Sequence, residues 1–137
     1  MAYRIRRLDY FYHQVTDVPG AAYELLSSLA SLGVNLLAFT AIPIGPEDTQ
    51  LTLFPEDPHK LTTAAQKAGM RLTGPHPAIL VQGDDELGAL AKVHAHLADA
   101  QVNVYASMCV TDGAGGYGYV LYVRPEQYDR ALKALAV

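Results

Sequence analysis

The chain is written twice. Asp17-Val-Pro-Gly20, an apolar run of helical period and Val34-Asn35 recur 68 positions later as Asp85-Glu-Leu-Gly88, a second helical run and Val102-Asn103. At the same offset Leu29 falls on Leu97, Ala30 on Ala98 and Phe54 on Tyr122. Such a repeat calls for one supersecondary unit folded twice, which limits the fold before any single residue is weighed.

The first copy reads strand, helix, strand, strand, helix, strand. Asp9 to Val15 is aromatic and β-branched enough for a strand. Asp17 is a capping candidate and Pro19 suits a first helical turn. Ala22, Leu25, Leu26, Leu29, Ala30 and Leu32 then form an apolar stripe that Gly33 ends. Val34–Ile42 and Thr49–Phe54 predict two strands about the turn Pro43–Asp48. Pro58 opens a second helix with Leu61, Ala64, Ala65 and Ala68 inward, and Gly69 closes it before the strand Met70–Thr73. Gly74-Pro-His-Pro77 reads as an extended linker.

The second copy predicts a strand at Ala78–Gln82 and a helix capped by Asp84 or Asp85, with Leu87, Leu90, Ala91, His94, Leu97 and Ala98 as its stripe. Strands follow at Val102–Val110 and Tyr117–Val123, then a helix from Pro125 with Tyr128, Ala131, Leu132 and Leu135 inward. The expected fold is α+β: two ferredoxin-like βαββαβ modules in tandem, residues 1–75 and 76–137, with antiparallel sheets and helices on one face. The second copy stops at Val137, where its last strand is due, while the first has residues to spare in Ala2–Arg7. A sheet edge left open is normally covered. Residues 2–7 are therefore expected to fill that place, within the chain or in a partner.

Composition narrows the function. Half of the 137 residues are apolar and the net charge is -4, which excludes a disordered chain. Ten Lys and Arg against 14 Asp and Glu argue against nucleic acid, and the basic cluster Arg4, Arg6 and Arg7 reads as a solvated edge strand or terminal arm. The lone Cys109 supports neither a disulfide framework nor a Cys-rich metal site. With no signal-like start and no 18-residue apolar stretch, a cytoplasmic protein without membrane contact is expected.

Catalytic patterns are sparse. His94 and His96 at i,i+2 project to different sides of a helix, so they do not chelate one ion together; His94 is read as partly buried and His96 as solvated. His59 sits at a helix start, His76 in the linker, and His13 on the first strand is the histidine nearest a ligand. There is no G-x-S-x-G and no HExxH, and Asp112–Gly116 lies between two strands, unlike a dinucleotide loop. Nine tyrosines, several on strands, read either as ordinary core and surface residues or as contacts of a sheet face between modules or subunits.

The strand–helix junctions offer more. Gly20 lets a ligand approach the backbone, and the free N–H groups of a first helical turn seat a carboxylate or other anion. The Asn35 amide supplies both a donor and an acceptor, or serves a structural turn.

Aspartate-x-Pro-Gly, a helix with Leu25 and Leu29, and Gly33-Val-Asn35 resemble the ACT domain, a small regulatory module attached to enzymes of amino-acid metabolism. The resemblance covers nearly the whole chain and implies the βαββαβ fold, side-by-side association and an amino acid bound near the first strand–helix loop. It implies ligand-binding roles for Asp17, Val18, Pro19, Gly20, Ala21 and Asn35. It implies a weaker second site at Asp85, Leu87, Gly88 and Asn103, where Leu87 replaces the family's proline. The implied protein is non-catalytic and binds an amino acid or related small metabolite as a sensor or regulator. It needs no cofactor or metal, forms a homo-oligomer, a dimer first of all, and acts on a metabolic enzyme or regulator. The alternative is a structural or protein-interaction homo-oligomer whose ligand loop is vacant.

Overall fold

The structure, a computed structural model, describes residues 3–136. Ala2, which opens the expected N-terminal strand, and Val137, where the second copy stops short, lie outside the described residues. In chain order the elements are β1 (Tyr3–Thr16), α1 (Ala21–Ser31), β2 (Leu36–Pro43), β3 (Asp48–Pro55), α2 (Pro58–Ala68), β4 (Thr73–Asp84), α3 (Ala89–Asp99), β5 (Val104–Thr111), β6 (Gly116–Val123), a 3-10 turn (Pro125–Gln127) and α4 (Tyr128–Leu135). Around β3 the strands run β2-β3-β1, and around β6 they run β4-β6-β5. The α+β class is the one expected. Among the described residues no helix is long and apolar enough to cross a membrane.

Two compact units divide the chain. The first is Asp9–His76; the second runs from Pro77 onward and includes Tyr3–Leu8. In the first, β3 pairs antiparallel with both β1 and β2, in the register Phe11↔Leu53 and Phe39↔Leu53. Successive side chains of a strand point to opposite faces, so Phe11, Leu51 and Leu53 share one face and meet Leu25, Leu29, Leu61 and Ala64 of the helices. On the other face Tyr10 packs 5.3 Å from Phe54, and the His76 ring lies 5.2 Å from both Tyr10 and Tyr12.

In the second unit β6 pairs antiparallel with β4 and β5, in the registers Val81↔Tyr119 and Cys109↔Tyr119. Ile79, Val81, Tyr117, Tyr119 and Leu121 meet Val93, Leu97, Ala131 and Leu135 of α3 and α4. Tyr3 and Ile5 pack against this core, and Arg7 pairs with Asp129 at 3.8 Å and lies 5.6 Å over the Tyr128 ring.

The backbone repeats the 68-residue offset. Gly20 and Gly88 are both left-handed N-caps, at φ 89° and 81°. Val34 N–H donates to the Leu29 carbonyl at 2.9 Å, as Val102 does to Leu97. Bulges fall at Leu36/Ala38 and at Val104/Ala106. Gly33 at φ 79° corresponds to Gln101 at φ 59°, so a non-glycine residue carries the left-handed turn in the second unit.

Three expectations need correction. Asp17, Asp84 and Asp85 do not cap: α1 and α3 begin after Gly20 and Gly88 with no side-chain cap, so Pro19 precedes the helix. A left-handed glycine turns the chain into each helix and leaves the acidic side chain a few residues behind. The inward face of α3 is Val93 and Leu97 with Leu90 partly buried, while Leu87 and His94 are exposed. Leu87 lies before the helix starts, so the stripe takes its phase from Leu90, and Val93 completes it. The strands expected at Met70–Thr73 and Ala78–Gln82 are not two strands joined by a linker: Met70–Leu72 is irregular, and Gly74–Pro77 lies inside the single strand β4. Prolines two residues apart have their nitrogens on the same side of a strand, so both missing donors fall on one edge.

Leu29→Ala and Leu97→Ala are each expected to destabilise the chain by about 2–5 kcal/mol, since both side chains are buried. Leu87→Ala is expected to change stability by less than about 0.5 kcal/mol. Urea titration reads all three. Gln101→Gly should relieve the left-handed strain by up to about 1 kcal/mol, and Gly33→Gln should cost a similar amount. A Gln101→Gly melting temperature below that of the parent would contradict the equivalence of the two turns.

Candidate ligand sites

The first-unit junction is an exposed, backbone-built turn. Asp17 N–H donates to the Glu47 carbonyl at 2.7 Å, Val18 N–H to Thr16 at 2.9 Å and Glu24 N–H to Gly20 at 2.9 Å. Asp17, Val18, Pro19 and Gly20 are exposed and Ala21 is half-buried. A Cβ added at Gly20 meets nothing within 4 Å, so glycine is needed here for its positive φ and the space above it is open. Asn35 is exposed; its carbonyl accepts from Glu56 N–H at 2.9 Å. The junction therefore offers backbone donors, one carboxylate and open space.

The second-unit junction repeats this skeleton. Asp85 N–H donates to Gly115 at 2.9 Å and Lys92 N–H to Gly88 at 3.2 Å. Leu87 is fully exposed, and Gly88 also has open space above it. Asn103 N–H donates to the Gln127 side-chain oxygen at 3.0 Å. Lys92 reaches Glu86 at 3.2 Å.

Beside that junction lies a cavity of about 320 Å³ that sequence reasoning did not assemble. It is lined by Tyr3, Arg4, Gln82, Gly83, Asp84, Asp112, Gly116 and Tyr117. Arg4 and Asp112 were each visible in the sequence, but 108 positions separate their numbers, and only the strand arrangement brings them together. Asp112 is fixed from within its turn: Oδ1 accepts from Ala114 N–H at 2.7 Å and Gly116 N–H at 3.1 Å. These two backbone bonds hold its carboxyl below the usual carboxylate range. Burial pushes the Tyr117 phenol up, helped by Cys109, Tyr3, Glu86 and Asp84. The Tyr3 phenol is raised by burial too, and its hydroxyl is buried with no hydrogen-bond partner.

The first unit has a cavity of about 280 Å³ lined by Tyr12, His13, Gln14, Gln50, Arg71 and Thr73. His13 is thus beside a concavity, but its Nδ1–H is committed to the Arg71 carbonyl at 2.8 Å. His94 Nε2 shares a 2.6 Å hydrogen bond with the Tyr119 hydroxyl, and His96 is half-buried with its ring 6.4 Å from that of Tyr3. The expectation of a solvated His96 is therefore corrected, since it is half-buried, while the His94 ring reaches the buried Tyr119 although the residue as a whole is exposed. Cys109 is half-buried, and burial, with Asp85 adding to it, raises its thiol, which disfavours the reactive thiolate. Among the described residues no three His, Cys, Asp or Glu side chains converge to hold a metal ion.

No protein-family model and no curated protein matches the chain. Solved structures do. A Bacteroides thetaiotaomicron protein superposes with a TM-score of 0.78 at 17% identity, over 98% of this chain and 88% of its own. The regulatory subunit of aspartate kinase from Thermus thermophilus, in ligand-free form, gives 0.67 at 16% identity over 99% and 95%. The corresponding subunit from Thermus flavus gives 0.60 at 17% identity over 99% and 95%. At these identities the likeness is one of fold. The chain has the ACT-like fold of these regulatory subunits.

Asp112→Asn is expected to raise amide exchange at Ala114 and Gly116. Because the folded-state carboxyl is depressed, its contribution is present above the unfolded carboxylate value and is lost as pH falls through the lower folded value. In the parent chain, protection of the turn should fall on acidification; in Asp112→Asn it should be low throughout. Equal protection in both at neutral pH would remove the carboxylate from the account.

Proposed function

We propose that this chain is a non-catalytic regulatory protein that binds a small metabolite, an amino acid first of all, through two tandem ACT-like modules. The observation that carries the reading is the paired junction: left-handed Gly20 and Gly88 open helices at equivalent points of two compact units. Each leaves exposed backbone donors beside a carboxylate, Asp17 or Asp85, and an asparagine, Asn35 or Asn103. The fold likeness to regulatory subunits of aspartate kinase supports the class. In this reading Asp17, Val18, Pro19, Gly20, Ala21 and Asn35 form the first site, and Asp85, Leu87, Gly88 and Asn103 a weaker one. The modules correspond to residues 1–75 and 76–137, except that an N-terminal extension of the first pairs with the second, its residues 3–7 completing the second sheet in cis. The packing of Tyr3 and Ile5 on the second core supports that last point. The protein acts in the cytoplasm as a homodimer and passes its ligand state to a metabolic enzyme or regulator.

One observation favours the alternative, a homo-oligomer without ligand. β5 carries no charged residue and exposes Tyr105, Met108 and Val110, a surface suited to protein contact. A thermal-shift panel of the twenty amino acids separates the two readings. A ligand binding only the native state at a hundred times its Kd stabilises by about 2.7 kcal/mol, a rise of several degrees. Asn35→Ala should reduce that rise. An unmoved melting temperature across the panel, in a chain that sediments as a dimer, would favour the alternative.

A further inference from the structure

We propose that the cavity of the second unit is itself a binding site for a small zwitterion, with Arg4 receiving its carboxylate and Asp84 and Asp112 its ammonium group. It shares no residue with either junction. It rests on the regulatory reading only in taking amino acids as the zwitterions to try.

The charges make the case. Arg4, Asp84 and Asp112 all line one cavity of about 320 Å³, within the range of small-molecule sites. The ion pairs among the described residues are Arg7–Asp129 and Lys92–Glu86, so Arg4 stands more than 4.0 Å from either aspartate oxygen. Arg4, Asp84 and Asp112 are exposed at the cavity and unpaired with one another, so a ligand with both charges can meet each side. Asp112 is aimed before any ligand arrives. Its Oδ1 is tied to two N–H groups, while Oδ2 lies 3.0 Å from where a Cβ on Gly116 would stand. Glycine at 116 therefore leaves Oδ2 its place, and no donor among the described residues takes that oxygen. An anchored acceptor loses little freedom on binding, which favours affinity. The Arg4 guanidinium matches a carboxylate with two parallel donors, and the Gln82 amide adds a donor and an acceptor. Tyr117, buried, supplies apolar wall below.

Arg4 and Tyr3 enter this site from β1, whereas the other residues come from β4, β6 and the β5–β6 turn. A ligand bridging Arg4 to Asp84 and Asp112 thus ties Tyr3–Leu8 to the rest of the second unit, and exchange protection of residues 3–8 rises with occupancy.

Isothermal titration of the full chain with the twenty L-amino acids provides the test, followed by the methyl ester and the N-acetyl form of each binder. One amino acid or more is expected to bind, with both derivatives weaker by about tenfold or more because each lacks one charge. R4Q and D84N should weaken the parent ligand by a similar factor, R4K should recover part of it, and R6Q, with circular dichroism unchanged, should bind as the parent chain does. Binding that survives R4Q and D84N but is lost in N35A would overturn the cavity site and leave the regulatory reading standing. Derivatives that bind as well as the parent amino acid would overturn the zwitterion. No binding across the panel would overturn both.

Discussion

Each compact unit depends on one central strand, β3 in the first and β6 in the second, paired antiparallel with a neighbour on both sides. A strand has one register along its length, and its alternation decides which side chains enter a core. In β1 that alternation sends Tyr3 and Ile5 to the core of the second unit and Phe11 to the core of the first. A slip of one residue would exchange faces throughout, taking Phe11 away from the helices and putting Tyr12 in its place.

On these strands the chemistry is assembled at the ends. Each unit carries a helix entered through a left-handed glycine, which leaves unpaired N–H groups facing solvent. Next to the second entry, the start of β1, the end of β4 and the β5–β6 turn meet around the cavity. Charges there are not neutralised by neighbours, whereas Arg7 and Lys92 each have an acidic partner. Exposed pairs of that kind contribute little to stability. The residues around the cavity lack such a partner among the described residues.

Residues whose role is local could be read without the structure. Gly33 marked the end of α1 because glycine adopts positive φ without strain, and Leu29 and Leu97 marked the cores by helical spacing. The capping roles given to Asp17 and Asp85 failed for a local reason that no pattern displays: the glycine begins the helix later than the acid suggests. The phase of α3 was misjudged for the same reason, since Leu87 sits outside the helix and Val93 inside it. Gly74–Pro77 looked like a linker because two prolines weaken a strand in general, yet both fall on one edge of β4.

By itself the sequence determined the duplication and, apart from the strand expected at Met70–Thr73, the order of elements, both of which arise from interactions between residues a few positions apart. It also determined the α+β class, because the hydrophobic period alternates between that of helix and strand. The sequence raised the expectation that residues 2–7 serve the second module; only the tertiary structure grouped Tyr3–Leu8 of this same chain with the residues from Pro77 onward, and brought Arg4 to the same cavity as Asp84 and Asp112. Those meetings follow from strand pairing over long sequence separations. Pairing is selected by the fit of whole faces, so no short motif in the chain records it.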